Sequence, residues 1–168
     1  MRENVEAWRR WRFRPRVLVD VSEVTSAAEV LGGPVSMPVL VAPVAYQRLA
    51  RPRGRGRDGA RAADAGTVMC LSTLATTTPS ELAAAAFPGR RWFQLYCFKD
   101  EEITRALVDE AIESGFEAIV VTVDAPPGGN RERDLRTGFR GCPRGSASPV
   151  LRRRWGASAR SRSRKPSG

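Results

Sequence analysis

The sequence predicts an α/β fold with a parallel sheet, on three observations. Arg91-Trp92-Phe93-Gln94-Leu95-Tyr96-Cys97-Phe98 is an apolar, strand-like run with a Gln and a Tyr near its C-terminal end. From Asp100 to Ser114, Ile103, Leu107, Val108, Ala111 and Ile112 recur at helical spacing, and Gly115 stands where helices commonly stop. Ala118-Ile119-Val120-Val121-Thr122-Val123-Asp124-Ala125-Pro126 then reads as a fully buried strand ending in Thr, Asp and Pro. Strand, helix, strand, with polar groups where strands end, is the pattern of a parallel sheet whose site lies at the C-terminal face.

In chain order, residues 4–12 read as a short helix or a lead-in and 16–36 as an irregular approach with a turn at Gly32-Gly33-Pro34. Strands are expected over about 37–43, 67–72, 92–98 and 118–124, with a further helix from Pro79 to about Ala86. The organisation is therefore a lead-in over 1–36, an αβ body over 37–140 and an Arg/Ser-rich tail over 141–168. The tail is poor in apolar residues and is expected to be disordered.

The formal charge of +10 suggests a nucleic-acid binder until its distribution is read. Residues 141–168 hold 8 of the 28 Lys and Arg and none of the 18 acids. Residues 51–61 hold five Arg and one Asp, so the rest of the body is near neutral. Specific nucleic-acid recognition is not expected. A basic-tailed fragment that binds nucleic acid or acidic surfaces nonspecifically is the alternative reading, carried by Arg152-Arg153-Arg154-Trp155 and the Arg/Ser run after Arg160.

Three cysteines without metal-ligand spacing support neither a metal site nor a disulfide framework. Cys70 and Cys97 fall in expected buried strands, and Cys142 in the tail. No apolar run reaches membrane-spanning length, and Met1–Arg16 lacks the apolar centre of a signal peptide, so the cytoplasm is the expected compartment. Gly54 and Gly56 lack the strand-to-helix context of a phosphate loop.

Six ordered blocks carry a resemblance. They are Phe13-Arg14-Pro15-Arg16-Val17-Leu18-Val19-Asp20-Val21, Met37-Pro38-Val39-Leu40-Val41-Ala42-Pro43-Val44-Ala45, and Ala65-Gly66-Thr67-Val68-Met69-Cys70-Leu71-Ser72-Thr73-Leu74-Ala75-Thr76-Thr77. Phe93-Gln94-Leu95-Tyr96, Thr122-Val123-Asp124-Ala125-Pro126 and Arg131-Glu132-Arg133-Asp134-Leu135-Arg136 follow. Together they resemble the FMN-dependent 2-hydroxy acid oxidases and dehydrogenases. The resemblance implies a partial (β/α)8 TIM barrel, the N-terminal half of one, since a full barrel takes roughly 250 residues.

It further implies FMN across the C-terminal mouth, a small L-2-hydroxy acid as substrate and a 2-oxo acid as product. Backbone groups of Pro43, Val44 and Ala45 would contact the flavin ring, and Ser72, Gln94 and Thr122 would meet it through their side chains. Tyr96 and Arg131 match substrate-contacting groups, the arginine suiting bidentate capture of a carboxylate. Each also has a plainly structural reading: Gln94 and Thr122 as partners for buried backbone, Tyr96 as a core aromatic, Arg131 as a solvated charge and Ser72 as a turn or cap residue. Full-length members are often homo-oligomeric.

The chain contains no histidine. By resemblance the general-base His, a second substrate Arg, a flavin-contacting Lys and the FMN phosphate site belong to the family's second half. No catalytic residue is therefore assigned, and this chain is expected to be inactive alone. Sequence unlike the family occupies 51–61 and everything after Arg140. Single-base shifts of reading frame in a G/C-rich gene account for both, restored at the first place and unrestored at the second, in keeping with 26 Arg against 2 Lys.

Overall fold

The computed structural model describes residues 2–50, 57–86, 89–124 and 132–138. The chain opens with helix α1 (Arg2–Arg10) and an extended segment, then a hairpin of β1 (Ala28–Val30) and β2 (Gly33–Val35). Helices α2 (Gln47–Ala50) and α3 (Arg57–Asp64) lead into the sheet. There β3 (Met69–Ser72), α4 (Pro79–Ala86), β4 (Arg91–Leu95), α5 (Glu101–Glu113) and β5 (Ala118–Val121) alternate, before helix α6 (Glu132–Thr137). The sheet has the order β3-β4-β5, all parallel, with Leu71, Phe93 and Ile119 in register.

Both expected helices of the sheet layer form, and their caps show why. At α4, the Thr78 hydroxyl accepts from the Glu81 N–H (3.0 Å), and the Glu81 carboxylate accepts from the Thr78 N–H (3.1 Å). This reciprocal box is followed by Pro79, whose missing N–H costs nothing at the first helical position. At α5, Asp100 accepts from the Glu102 N–H (3.0 Å). The far end closes on Gly115 at φ +72°, with the Phe116 N–H returning to the Ala111 carbonyl (3.0 Å).

The pleat gives the sheet two faces. Met69, Leu71, Phe93 and Leu95 point to the helices and bury themselves with Leu82, Leu107 and Ala111. Cys70, Ser72, Trp92 and Gln94 alternate to the other face, which in a barrel is the inside. Helix α3 closes one flank, with Ala62 buried in the same core.

Several expectations need correction. The strand over 37–43 is reduced to a single parallel bridge, Val41 to Met69, in which Val41 donates to the Val68 carbonyl and accepts from the Cys70 N–H (2.9 Å each). Pro38 and Pro43 have no N–H to give a ladder, which explains the interruption. The strands expected over 67–72, 92–98 and 118–124 are trimmed to 69–72, 91–95 and 118–121. Cys97 is therefore beyond its strand and exposed, not buried. The run at 118–123 is not fully buried either: Val121 is 48% and Val123 89% exposed, because no strand pairs with the outer edge of β5 among the described residues.

The turn at 32–34 belongs to a hairpin where an irregular segment was expected. Leu31 (φ +45°) and Gly32 (φ +69°) form its two-residue turn, both left-handed as such turns require. Arg90 fastens the hairpin to the N-terminal end of the sheet. Its guanidinium donates to the carbonyls of Gly33 (2.9 Å) and Val30 (3.1 Å) while Nε pairs with Glu117 (2.8 Å). Arg90→Ala is expected to cost about 1.5–3 kcal/mol by urea unfolding, the range for hydrogen bonds to a charged group. Amide exchange should speed at Val30 and Val35 while α5 is unchanged; uniform loss of protection would show that the hairpin is not separately held.

Candidate functional site at the strand ends

Ser72 is the last residue of β3, Gln94 stands beside it in register on β4, and Thr122 follows two residues after Gln94's partner Val120. Period-two alternation sends all three to the inner face. The Ser72 hydroxyl donates to Gln94 Oε1 (3.0 Å), and Gln94 Nε2 donates to Thr122 Oγ1 (2.9 Å). One amide thus ties three strand ends into a row.

The orientation of that amide follows from its neighbours. The Thr73 backbone N–H reaches Gln94 Oε1 (3.3 Å), and a backbone N–H can only donate. The oxygen must therefore face β3 and the nitrogen Thr122. With Ser72 Oγ also accepting from the Leu74 N–H (3.2 Å), the oxygen side is fully engaged. What remains uncommitted among the described residues is the second N–H of Gln94 and the O–H of Thr122. Both are donors. Gln94 is 4% and Ser72 5% exposed, so this is a preorganised row with little freedom to turn.

Thr73 was missed as a site-building residue. Its hydroxyl donates to the Gln94 carbonyl (2.6 Å) and accepts from the Tyr96 N–H (3.1 Å), setting where the chain leaves β4. Its place directly after Ser72 was the available signal. Tyr96 is half-buried just past β4. Pro43, Val44 and Ala45 form an exposed arch over the same end of the sheet. The arch is held at one side by Val41 and at the other by the Tyr46 N–H on the Leu74 carbonyl (3.1 Å). Further round, Gln47 Oε1 accepts from the Thr76 N–H (3.1 Å). The structure thus brings Pro43, Val44, Ala45, Ser72, Gln94, Tyr96 and Thr122 to one end of the sheet. Arg131 and the tail after 138 lie outside the described residues.

Cys70, one residue from the bridge to Val41, has its thiol pushed up to about 11 by burial, so it is a small apolar group at neutral pH and no nucleophile. Among the described residues no cluster of His, Cys, Asp or Glu could hold a metal ion, and no helix is long and apolar enough to cross a membrane.

The donor set can be tested against a flavin. Along its polar edge an isoalloxazine ring presents two carbonyl oxygens and the N1 and N5 nitrogens, which accept hydrogen bonds, and one N3–H, which donates. A fixed pair of donors on Gln94 and Thr122, beside an arch of backbone at 43–45, fits that edge.

Residues 1–167 match the FMN-dependent dehydrogenase family. Glycolate oxidase 3 of Oryza sativa subsp. japonica is 47% identical over 139 residues, covering 83% of this chain and 38% of the relative. An L-lactate oxidase of Nostoc sp. is 46% identical over 142 residues, covering 83% and 39%. A solved mandelate oxidase variant with (S)-mandelic acid superposes with a TM-score of 0.80 at 40% identity, over 89% of this chain and 44% of that one. Another, with a C4a-hydroxy-FMN adduct, gives 0.76 at 40% identity, over 83% and 41%. The chain spans about two fifths of the length of these relatives, and its sheet is part of a (β/α)8 barrel. With an FMN-dependent match over nearly its whole length, the chain belongs to the FMN-dependent dehydrogenase family.

Proposed function

We propose that this chain supplies the flavin-edge half of a barrel that oxidises a small L-2-hydroxy acid to a 2-oxo acid. The observation that carries the reading is the Ser72–Gln94–Thr122 row, a rigid set of side chains across three strand ends that leaves two donors uncommitted among the described residues. FMN, when bound, is the two-electron acceptor. Gln94 and Thr122 hold the polar edge of the ring, Ser72 and Thr73 keep the Gln94 amide from rotating, and the 43–45 arch lines the ring with backbone. Tyr96 and Arg131 orient the substrate, the arginine through its carboxylate. Proton removal from the substrate requires a base beyond these residues, so the chain alone binds and orients without turning over.

The reading has a direct test, because the donors described address the ring and not the phosphate. Riboflavin and FMN should quench in parallel when titrated with the full chain, with similar weak affinities. Thr122→Val keeps the shape and removes the donor; it should weaken both by roughly tenfold, for about 1–1.5 kcal/mol of hydrogen bonding. Gln94→Leu should weaken them further, with circular dichroism confirming that it is folded. Binding that demands the phosphate, or that ignores both substitutions, would place the flavin elsewhere.

A further inference from the structure

Tyr46 closes the 43–45 arch in the left-handed backbone region, at φ +55°, where a bulky side chain is strained. Such a conformation persists only where its surroundings over-determine it, and strain of this kind gathers at functional sites. Four hydrogen bonds supply the constraint. The Tyr46 N–H reaches the Leu74 carbonyl (3.1 Å). Gln47 Oε1 accepts from the Thr76 N–H (3.1 Å) and from the Thr76 hydroxyl (3.4 Å). That hydroxyl in turn accepts from the Arg48 N–H (3.4 Å).

A backbone N–H can only donate, so the Gln47 oxygen must face Thr76. The receiving loop is firmly seated, with Ala75 1% and Thr76 2% exposed. It begins at Ser72, whose carbonyl accepts from the Ala75 N–H (2.9 Å). One short loop therefore carries both the first member of the donor row and the anchor of the arch. Anything that loosens Gln47 from Thr76 frees the arch to move against the row.

We propose that Gln47 and Thr76 are positioning residues, a clasp that keeps the 43–45 arch in register with the Ser72–Gln94–Thr122 row. Neither side chain meets the ring; both act through the backbone of 43–46. The inference rests on the flavin reading above and adds to it what fixes one wall of the site relative to the other.

The test uses the full chain with riboflavin as the probe, followed by fluorescence quenching and by visible circular dichroism of the bound ring. Far-ultraviolet circular dichroism selects a temperature at which every variant is folded. Gln47→Leu removes the acceptor and should weaken riboflavin by about fivefold, with an altered visible band at saturation. Gln47→Glu keeps an acceptor toward Thr76 and should stay within about twofold of wild type. Thr76→Val keeps its N–H but loses the hydroxyl, and should fall between them; it carries the same test if Gln47→Leu does not fold. Without flavin, the Tyr46 amide should exchange faster in Gln47→Leu, while Val30 and α5 are unchanged.

Wild-type affinity and visible band in Gln47→Leu would overturn the proposal. An equal loss in Gln47→Glu would do the same, since the acceptor would then not matter. The two readings fail separately. Riboflavin binding that ignores Thr122→Val sinks the flavin reading, whereas Tyr46 exchange that ignores Gln47→Leu sinks the clasp, whatever the flavin does.

Discussion

Glycolate, L-lactate or mandelate mixed with the purified 168-residue chain and saturating FMN is expected to be consumed no faster than with FMN alone. The chain has no histidine, and the strand-end row consists of hydroxyls and an amide, none of which takes up a proton near neutral pH. A well-placed general base contributes roughly 10²–10⁴-fold to such a reaction. Loose positioning would add a further penalty of the same order, since no strand covers the outer edge of β5 among the described residues. Oxygen uptake and 2-oxo acid formation, assayed together, check this. Turnover that scales with chain concentration and disappears in Gln94→Leu would show that a base among these residues is at work.

Phe93→Ala should produce the largest stability loss of any single substitution in the described core. Phe93 is 1% exposed at the centre of the sheet and meets Phe116 edge to face, with ring centroids 6.0 Å apart at 83°. Removing it leaves a ring-sized cavity among Leu71, Leu107 and Ala111, at a cost of about 3–5 kcal/mol. Domains have only about 5–15 kcal/mol in total. The melting midpoint should fall by at least about 12 °C, at roughly 4–8 °C per kcal/mol for an αβ body of about 100 residues. Phe116→Leu, at the rim of the same cluster, should cost less than half as much. A Phe93→Ala midpoint within a few degrees of wild type would mean that the core lies elsewhere.

The helices were legible because their signals are local. Thr78, Pro79 and Glu81 start α4, while Asp100 and Gly115 bracket α5; each acts within four residues of itself. The strand-end row was legible as a set of candidates through the family resemblance, with Gln94 and Thr122 also standing out as polar groups near the ends of apolar runs. What sequence did not show was anything decided by a distant partner. The strand at 37–43 has the right composition but is interrupted by two prolines and reduced to one bridge. The run at 118–123 has a buried strand's composition but sits at an edge. Thr73 received no role from the sequence, and only the register places its hydroxyl against the Gln94 carbonyl. Arg90 reads as a surface charge, although its partners at Val30 and Gly33 lie some sixty residues away.

The sequential order β3-β4-β5 has a consequence for biosynthesis. Each strand pairs with the one made just before it, so every ladder closes over a short stretch of newly synthesised chain. Low sequence separation between partners favours rapid folding, and translation proceeds at only about 5–20 residues per second. The helix-side core, from Ala62 to Ala111, can consequently be complete on the ribosome soon after β5 clears the exit tunnel. A nascent chain stalled there would already hold the Ser72–Gln94–Thr122 row in place. The row that ties three strand ends together is thus finished early in synthesis.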